Sequence, residues 1–169
     1  MQLPDAEQLL IELAASLRPD ITQNTALVGI HTGGAWLAEW LHQHLKPSLP
    51  LGTLDVSFYR DDFAQIGLHP QVRPSNIPFQ VEGSHIILID DVLYTGRTIR
   101  AAINELFDYG RPASIRLAAL IDRGGRELPI AAQYVGMALE LPWDKMLALK
   151  KSAWGKMSLS LHDKRRDNE

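Results

Sequence analysis

Ile86-Ile87-Leu88-Ile89-Asp90-Asp91-Val92-Leu93-Tyr94-Thr95-Gly96-Arg97-Thr98 is the stretch on which the reading of this chain turns. Four apolar residues in succession, 86–89, predict a short strand buried on both faces, as in a parallel sheet. It runs into two adjacent carboxylates, and a loop of hydroxyls and glycine then opens a helix. Residues 98–109 continue that helix through Ile99, Ile103 and Leu106, and Gly110 closes it as a C-cap. The loop has the parts of an anion cradle: N–H groups at a helix start, the positive helix end, the hydroxyls of Thr95 and Thr98, and Gly96 for close approach. Two carboxylates repel an anion, so Asp90 and Asp91 suit another part of the same ligand, sugar hydroxyls or a hydrated Mg²⁺. A ribose 5-phosphate group meets both demands. An isolated acidic pair reads more simply as strand-end turn residues, but strand, pair and Thr-Gly-Arg-Thr in one run point to a ligand. Phospho-receiver domains also pair acids at a strand end, normally after the first strand; here the pair sits mid-chain and fits poorly.

The flanking sequence repeats the same alternation. Residues 4–17 read as an amphipathic helix, with Leu9, Leu13 and Leu17 on one face and Asp5 with Gln8 as a capping pair. An apolar run at 26–30 enters a loop, His31-Thr32-Gly33-Gly34. A second helix follows, with Leu37, Leu41 and Leu45 aligned, and Pro47 and Pro50 end it. Residues 53–59 alternate and predict a strand. Between 60 and 85, Gly67, Pro70, Pro74, Pro78 and Gly83 break every pattern, which predicts a long loop or hairpin of the kind that carries function. A strand at 115–121, a charged turn at 122–127 and a short strand at 134–137 complete the series. Strands alternating with helices predict an α/β fold, a mostly parallel sheet flanked by helices, with its functional loops at the carboxyl ends of the strands.

With 169 residues, 46% hydrophobic and 22% charged, the chain is expected to form one domain over 1–169, and disordered or fibrous structure is excluded. No apolar run approaches the roughly 18–20 residues of a membrane span. Asp5, Glu7 and Glu12 interrupt any signal-peptide pattern. The absence of cysteine removes thiol catalysis, disulfides and thiolate metal sites, and a cytoplasmic location fits best. A net charge of -3 carries no signature of a nucleic-acid binder.

The run 86–98 closely resembles the phosphoribosyl-pyrophosphate (PRPP) signature of type I phosphoribosyltransferases. Three further stretches narrow the resemblance: Leu54-Asp55-Val56-Ser57-Phe58-Tyr59-Arg60-Asp61-Asp62, Asp108-Tyr109-Gly110-Arg111-Pro112, and Asp122-Arg123-Gly124-Gly125-Arg126-Glu127-Leu128-Pro129-Ile130. Together they resemble the PyrR family, pyrimidine-operon regulators with uracil phosphoribosyltransferase activity, over about residues 26–137. The resemblance implies the type I phosphoribosyltransferase fold with a flexible hairpin loop, at about 67–77, over the site. It implies that Asp90 and Asp91 hold the ribose hydroxyls and that Leu93, Tyr94, Thr95, Gly96, Arg97 and Thr98 bind the 5-phosphate. His31, Thr32, Gly33 and Gly34 would form the pyrophosphate loop, Arg60 would reach a phosphate, and the segment around 121–129, with Asp122 and Arg123, would form the uracil pocket. The implied cofactor is Mg²⁺ carried with PRPP, with no direct protein ligands assigned; UMP or UTP is product or effector. His31 and Gly33 depart from the family, which usually carries Lys and Arg there. Each lost charge-assisted bond costs about 1.5–3 kcal/mol, which predicts a raised KM for PRPP or a stronger dependence on Mg²⁺.

A competing expectation is a nucleotide-sensing, nucleic-acid-binding regulator with weak or no transferase activity. RNA affinity depends on phosphate-facing Lys and Arg. The first thirty residues hold only Arg18 against Asp5, Glu7, Glu12 and Asp20, so RNA is disfavoured. The basic end, with Lys145, Lys150, Lys151, Lys156, Lys164, Arg165 and Arg166, reads as a solvated tail, and the sequence from about 142 diverges from the family. His42 and His44 are two apart and make a poor metal pair. Trp36 and Trp40 share a helix face and suit packing in the core or a dimer, whereas Trp143 and Trp154 suit an apolar patch or an oligomer contact. The resemblance implies a homodimer or higher homo-oligomer.

Overall fold

The computed structural model describes residues 1–56 and 75–164. Arg60, most of the expected loop over the site, and Arg165 and Arg166 lie outside the described residues.

Five parallel strands form the central sheet: β1 Thr25–Ile30, β2 Gly52–Leu54, β3 His85–Leu93, β4 Ser114–Asp122 and β5 Tyr134–Ala138, in the order β2-β1-β3-β4-β5. Helix α1 (Ala6–Leu17) precedes the sheet, α2 (Gly33–Leu45) links β1 to β2, and α3 (Arg97–Tyr109) links β3 to β4. Alternate strand residues divide between two cores. Leu27, Ile87, Ile89 and Leu120 pack with α1 and α2; Val28, Ile30, Ile86, Leu88 and Ala119 pack with Ile99, Ala102 and Leu106 of α3. Because the two crossover helices lie on opposite faces, the strand order reverses between β1 and β3. In such sheets ligands bind in the crevice at that switch point, beyond the carboxyl ends of the strands.

Several boundaries differ from expectation for physical reasons. β3 runs through the acidic pair to Leu93, because Asp90, Val92 and Leu93 pair with Ala119, Ile121 and Asp122 of β4. Gly33 and Gly34 belong to the first turn of α2 rather than to a loop. That helix stops at Lys46, which is left-handed (φ 49°), just before Pro47. Asp5 caps α1 through Oδ1, which accepts from the N–H groups of Glu7 and Gln8 (2.9 and 3.4 Å), but the Gln8 side chain turns to Glu12. The strand expected at 53–59 is paired over Gly52–Leu54, and residues 57–59 are outside the described residues.

The largest correction concerns the C-terminal end. β6 (Lys145–Lys151) and β7 (Met157–Asp163) form an antiparallel hairpin instead of a solvated tail. Leu147, Leu149 and Met157 are buried in the same core as α1 and α2, while Lys150, Lys151 and Lys156 are exposed. Trp36 and Trp40 also pack against that core; Trp40 stacks on His44 with centroids 3.5 Å apart, and Lys151 lies over the Trp36 ring. Trp143 and Trp154 are 77% and 95% exposed. Among the described residues no helix is long and apolar enough to cross a membrane.

Candidate active site

The acidic pair of β3 meets the first turn of α2 at the switch point. Asp90 and Asp91 lie near the carboxyl end of β3 with only 3% and 7% of their surface exposed. Buried carboxylates need partners, and the backbone supplies some: Asp90 Oδ1 accepts from the Asp91 N–H (3.0 Å) and Asp91 Oδ1 from the Val92 N–H (2.9 Å). The other oxygen of Asp91, Oδ2, faces Gly33: a Cβ built on that glycine would lie 2.3 Å from it. Gly34 is packed closely against Ile89 O and, at 3.0 Å from a Cβ built there, the Asp90 Cα. The structure therefore brings the first turn of α2 directly against the acidic strand end. His31 is tied to the neighbouring strand, its N–H donating to Leu54 O at 2.9 Å, and the His31–Thr32 peptide is cis.

Asp91 thus places a negative charge near the positive end of α2, where a polyanion is expected. A cation lying between them relieves the conflict, and hard carboxylate oxygens are the donors Mg²⁺ takes. Among the described residues no group of three or more His, Cys, Asp or Glu side chains stands ready to cage a metal.

On the other side of Asp91, residues 93–98 curve into α3. Gly96 is the N-cap with φ 95°, a left-handed conformation, and the Arg97 N–H donates to Thr95 Oγ1 at 3.2 Å. Thr95 and Thr98 are buried. The segment 122–130 wraps this loop. Arg126 donates through Nη2 to both oxygens of Asp122 (2.8 and 2.7 Å), through Nη1 to Tyr94 O (2.7 Å) and through Nε to Ile130 O (2.9 Å). The N–H groups of Glu127 and Leu128 donate to Thr95 O (2.9 and 3.2 Å). Arg97 pairs with Glu127 at 2.7 Å, but both side chains are more than half exposed, so that pair contributes little.

Arg123 directly follows the last residue of β4. Its side chain is buried, its guanidinium lies 4.0 Å from the Tyr94 ring centroid, and it donates to Lys145 O (2.9 Å) and Pro142 O (3.0 Å). Lys164 approaches the Tyr94 ring as well, at 5.2 Å. Arg123 therefore fastens the base of the C-terminal hairpin to the loop. Asp122 is engaged by Arg126 and by the Gly124 N–H. Sequence reasoning missed the role of Arg126 because an arginine in a charged turn carries no sign of a partner 32 residues away.

Residues 2–147 match the phosphoribosyl transferase domain family. The fold is that of a phosphoribosyltransferase, a pentosyltransferase whose sheet follows the type I plan. Solved structures agree: a hypoxanthine phosphoribosyltransferase from Staphylococcus aureus is 25% identical with a TM-score of 0.63, covering 85% of this chain and 76% of that one. A hypoxanthine-guanine phosphoribosyltransferase from Bacillus anthracis shares the fold at 21% identity, with a TM-score of 0.65 and 85% of each chain covered. The chain belongs to the PyrR family. The Bifunctional protein PyrR of Pseudomonas aeruginosa (strain LESB58) is 56% identical over 153 residues, 88% of this chain and 90% of that protein. The protein of the same name from Pseudomonas fluorescens is 52% identical over 167 residues, 96% of this chain and 98% of its own, so the match reaches well into the C-terminal hairpin.

Proposed function

We propose that the protein transfers the ribose 5-phosphate group of PRPP to N1 of uracil, giving UMP and pyrophosphate. The observation that carries this reading is the junction of Asp91 with Gly33, which sets the acidic strand end between the loop at 93–98 and the first turn of α2. A ligand with a phosphate at one end, hydroxyls in the middle and a polyanion at the other matches that order. Asp90 and Asp91 hold the ribose hydroxyls. Leu93, Tyr94, Thr95, Gly96, Arg97 and Thr98 surround the 5-phosphate. His31, Thr32, Gly33 and Gly34 meet the pyrophosphate with N–H groups of a helix start. Mg²⁺ carried with PRPP, with no direct protein ligand assigned, would supply neutralisation of pyrophosphate charge.

The chemistry requires no side-chain nucleophile. The bond from C1 to the pyrophosphate oxygen breaks through an oxocarbenium-like state, the bond from C1 to N1 forms, and the N1 proton passes to solvent. What the residues contribute is alignment of the two reactants and exclusion of water from C1. The segment 122–130 walls the uracil side, where Asp122 and Arg123 act through Arg126 and Tyr94. Asp91→Asn tests this: pyrophosphate release from PRPP with uracil should fall sharply. Unchanged release would remove the carboxylates from the site.

The name shared by the relatives, a bifunctional protein, favours a second activity beside the transfer. Regulation of pyrimidine gene expression through bound UMP or UTP is the form it takes in this reading. Salt-dependent binding of a pyrimidine-operon leader RNA, enhanced by UMP, would support it; binding indifferent to UMP would not.

A further inference from the structure

Two consecutive carbonyls of the loop 93–98 are taken by a single neighbouring segment. Tyr94 O accepts from Arg126 Nη1 at 2.7 Å, and Thr95 O accepts from the N–H groups of Glu127 and Leu128 at 2.9 and 3.2 Å. Both peptide units are trans, so each carries its N–H opposite its C=O. Fixing the carbonyls of Tyr94 and Thr95 toward 126–128 therefore turns the N–H groups of Thr95 and Gly96 to the other side of the loop. Successive N–H groups aimed one way form an anion-binding concavity, and the left-handed Gly96 (φ 95°) supplies the bend it needs. The Arg97 N–H is taken by Thr95 Oγ1, and the N–H groups of Thr98 and Ile99 in the first turn of α3 extend it.

Half of this template is backbone, and the other half is one side chain. The Arg126 guanidinium cannot swing away from Tyr94 O, because Asp122 grips Nη2 with both oxygens and Ile130 O takes Nε. A planar fork with several donors suits this task, and a lysine ammonium does not reproduce it.

We propose that Arg126 is a positioning residue for the phosphate loop. It touches no substrate; it holds the Tyr94 carbonyl so that the Thr95 and Gly96 N–H groups face the 5-phosphate. The proposal rests on the reading that residues 93–98 take that phosphate. Ribose 5-phosphate and pyrophosphate separate the two ends of the site, and titration calorimetry of each against the wild type, Arg126→Lys and Arg126→Met is the test. Affinity for ribose 5-phosphate should fall by roughly tenfold in both variants, about 1.4 kcal/mol, while affinity for pyrophosphate is retained. In steady state the KM for PRPP should rise by a similar factor, with kcat within about threefold. Parallel loss of both ligands indicates general damage and overturns the proposal, as does wild-type affinity for ribose 5-phosphate in the variants. Should Arg126→Met fail to fold, Arg126→Lys decides alone. A wild type that binds no ribose 5-phosphate contradicts the underlying reading of the loop and removes the proposal with it.

Discussion

The Oδ2 atom of Asp91 rests against Gly33, where a methyl group would come within 2.3 Å of it and within 2.8 Å of Cγ. This contact joins the end of β3 to the start of α2 and leaves no room for a side chain at residue 33 unless Asp91 moves. Gly33→Ala should therefore cost about 1–3 kcal/mol by overpacking and displace the carboxylate. Asp91→Ala in the same chain should recover the stability but not the turnover. Urea unfolding of the two single variants and the double one measures the coupling. Additive stability effects would show that the two residues are not in contact.

Arg123 ties the C-terminal hairpin to Tyr94 by donating to Pro142 O and Lys145 O. Arg123→Met preserves much of its bulk but strands two carbonyl acceptors. Hydrogen bonds to a charged group contribute about 1.5–3 kcal/mol each, so urea unfolding should show a loss of roughly 3 kcal/mol. A loss below about 1 kcal/mol would mean the contacts are dispensable.

The hairpin should prove part of the core. Leu149 is buried with α1 and α2 residues, and Leu149→Ala should cost about 2–5 kcal/mol, the range for large-to-small core changes. Truncation after residue 141 should expose the apolar faces of α1 and α2 that the hairpin packs against and bind the dye ANS. A truncated chain with the unfolding midpoint of the whole protein would contradict the packing.

At the opposite end of the sheet, the Tyr134 hydroxyl donates to Asp20 Oδ2 at 2.6 Å and accepts from Arg116 Nη1 at 3.1 Å. Burial, and then the bond to Asp20, hold the phenol above its usual value. A group raised by folding keeps its full contribution below the unfolded pKa, about 10 for tyrosine, and loses it as pH rises through the folded value. The melting temperature should thus fall above pH 10. Tyr134→Phe should be less stable by about 1 kcal/mol at pH 8 and show a shallower alkaline decline. Equal alkaline slopes for the two proteins would refute the assignment.

What was legible in the sequence follows from what local pattern can encode. The buried strand at 86–89, the loop 93–98 and the helix after it were readable because burial on both faces and helical period each leave a one-dimensional trace. The continuation of β3 through Asp90 and Asp91 was not, since only pairing with Ala119 and Ile121 of β4 makes a strand of acidic residues. The inward alternation of Leu147 and Leu149 was present, but five lysines nearby spoke for solvent until Met157 and the β7 partner supplied the second side. Arg126 and Arg123 looked alike in the charged turn. Only three-dimensional placement separates one that holds the loop from one that holds the hairpin.

The central claim is transfer of ribose 5-phosphate to uracil at the junction of β1 and β3. Its most direct measurement is nucleotide formation by the purified protein with PRPP and Mg²⁺, offered uracil, hypoxanthine, guanine and orotate in parallel. The account predicts UMP from uracil, little product from the other three bases, and loss of UMP in Asp91→Asn. No nucleotide from any base, or a purine nucleotide in preference to UMP, would contradict it.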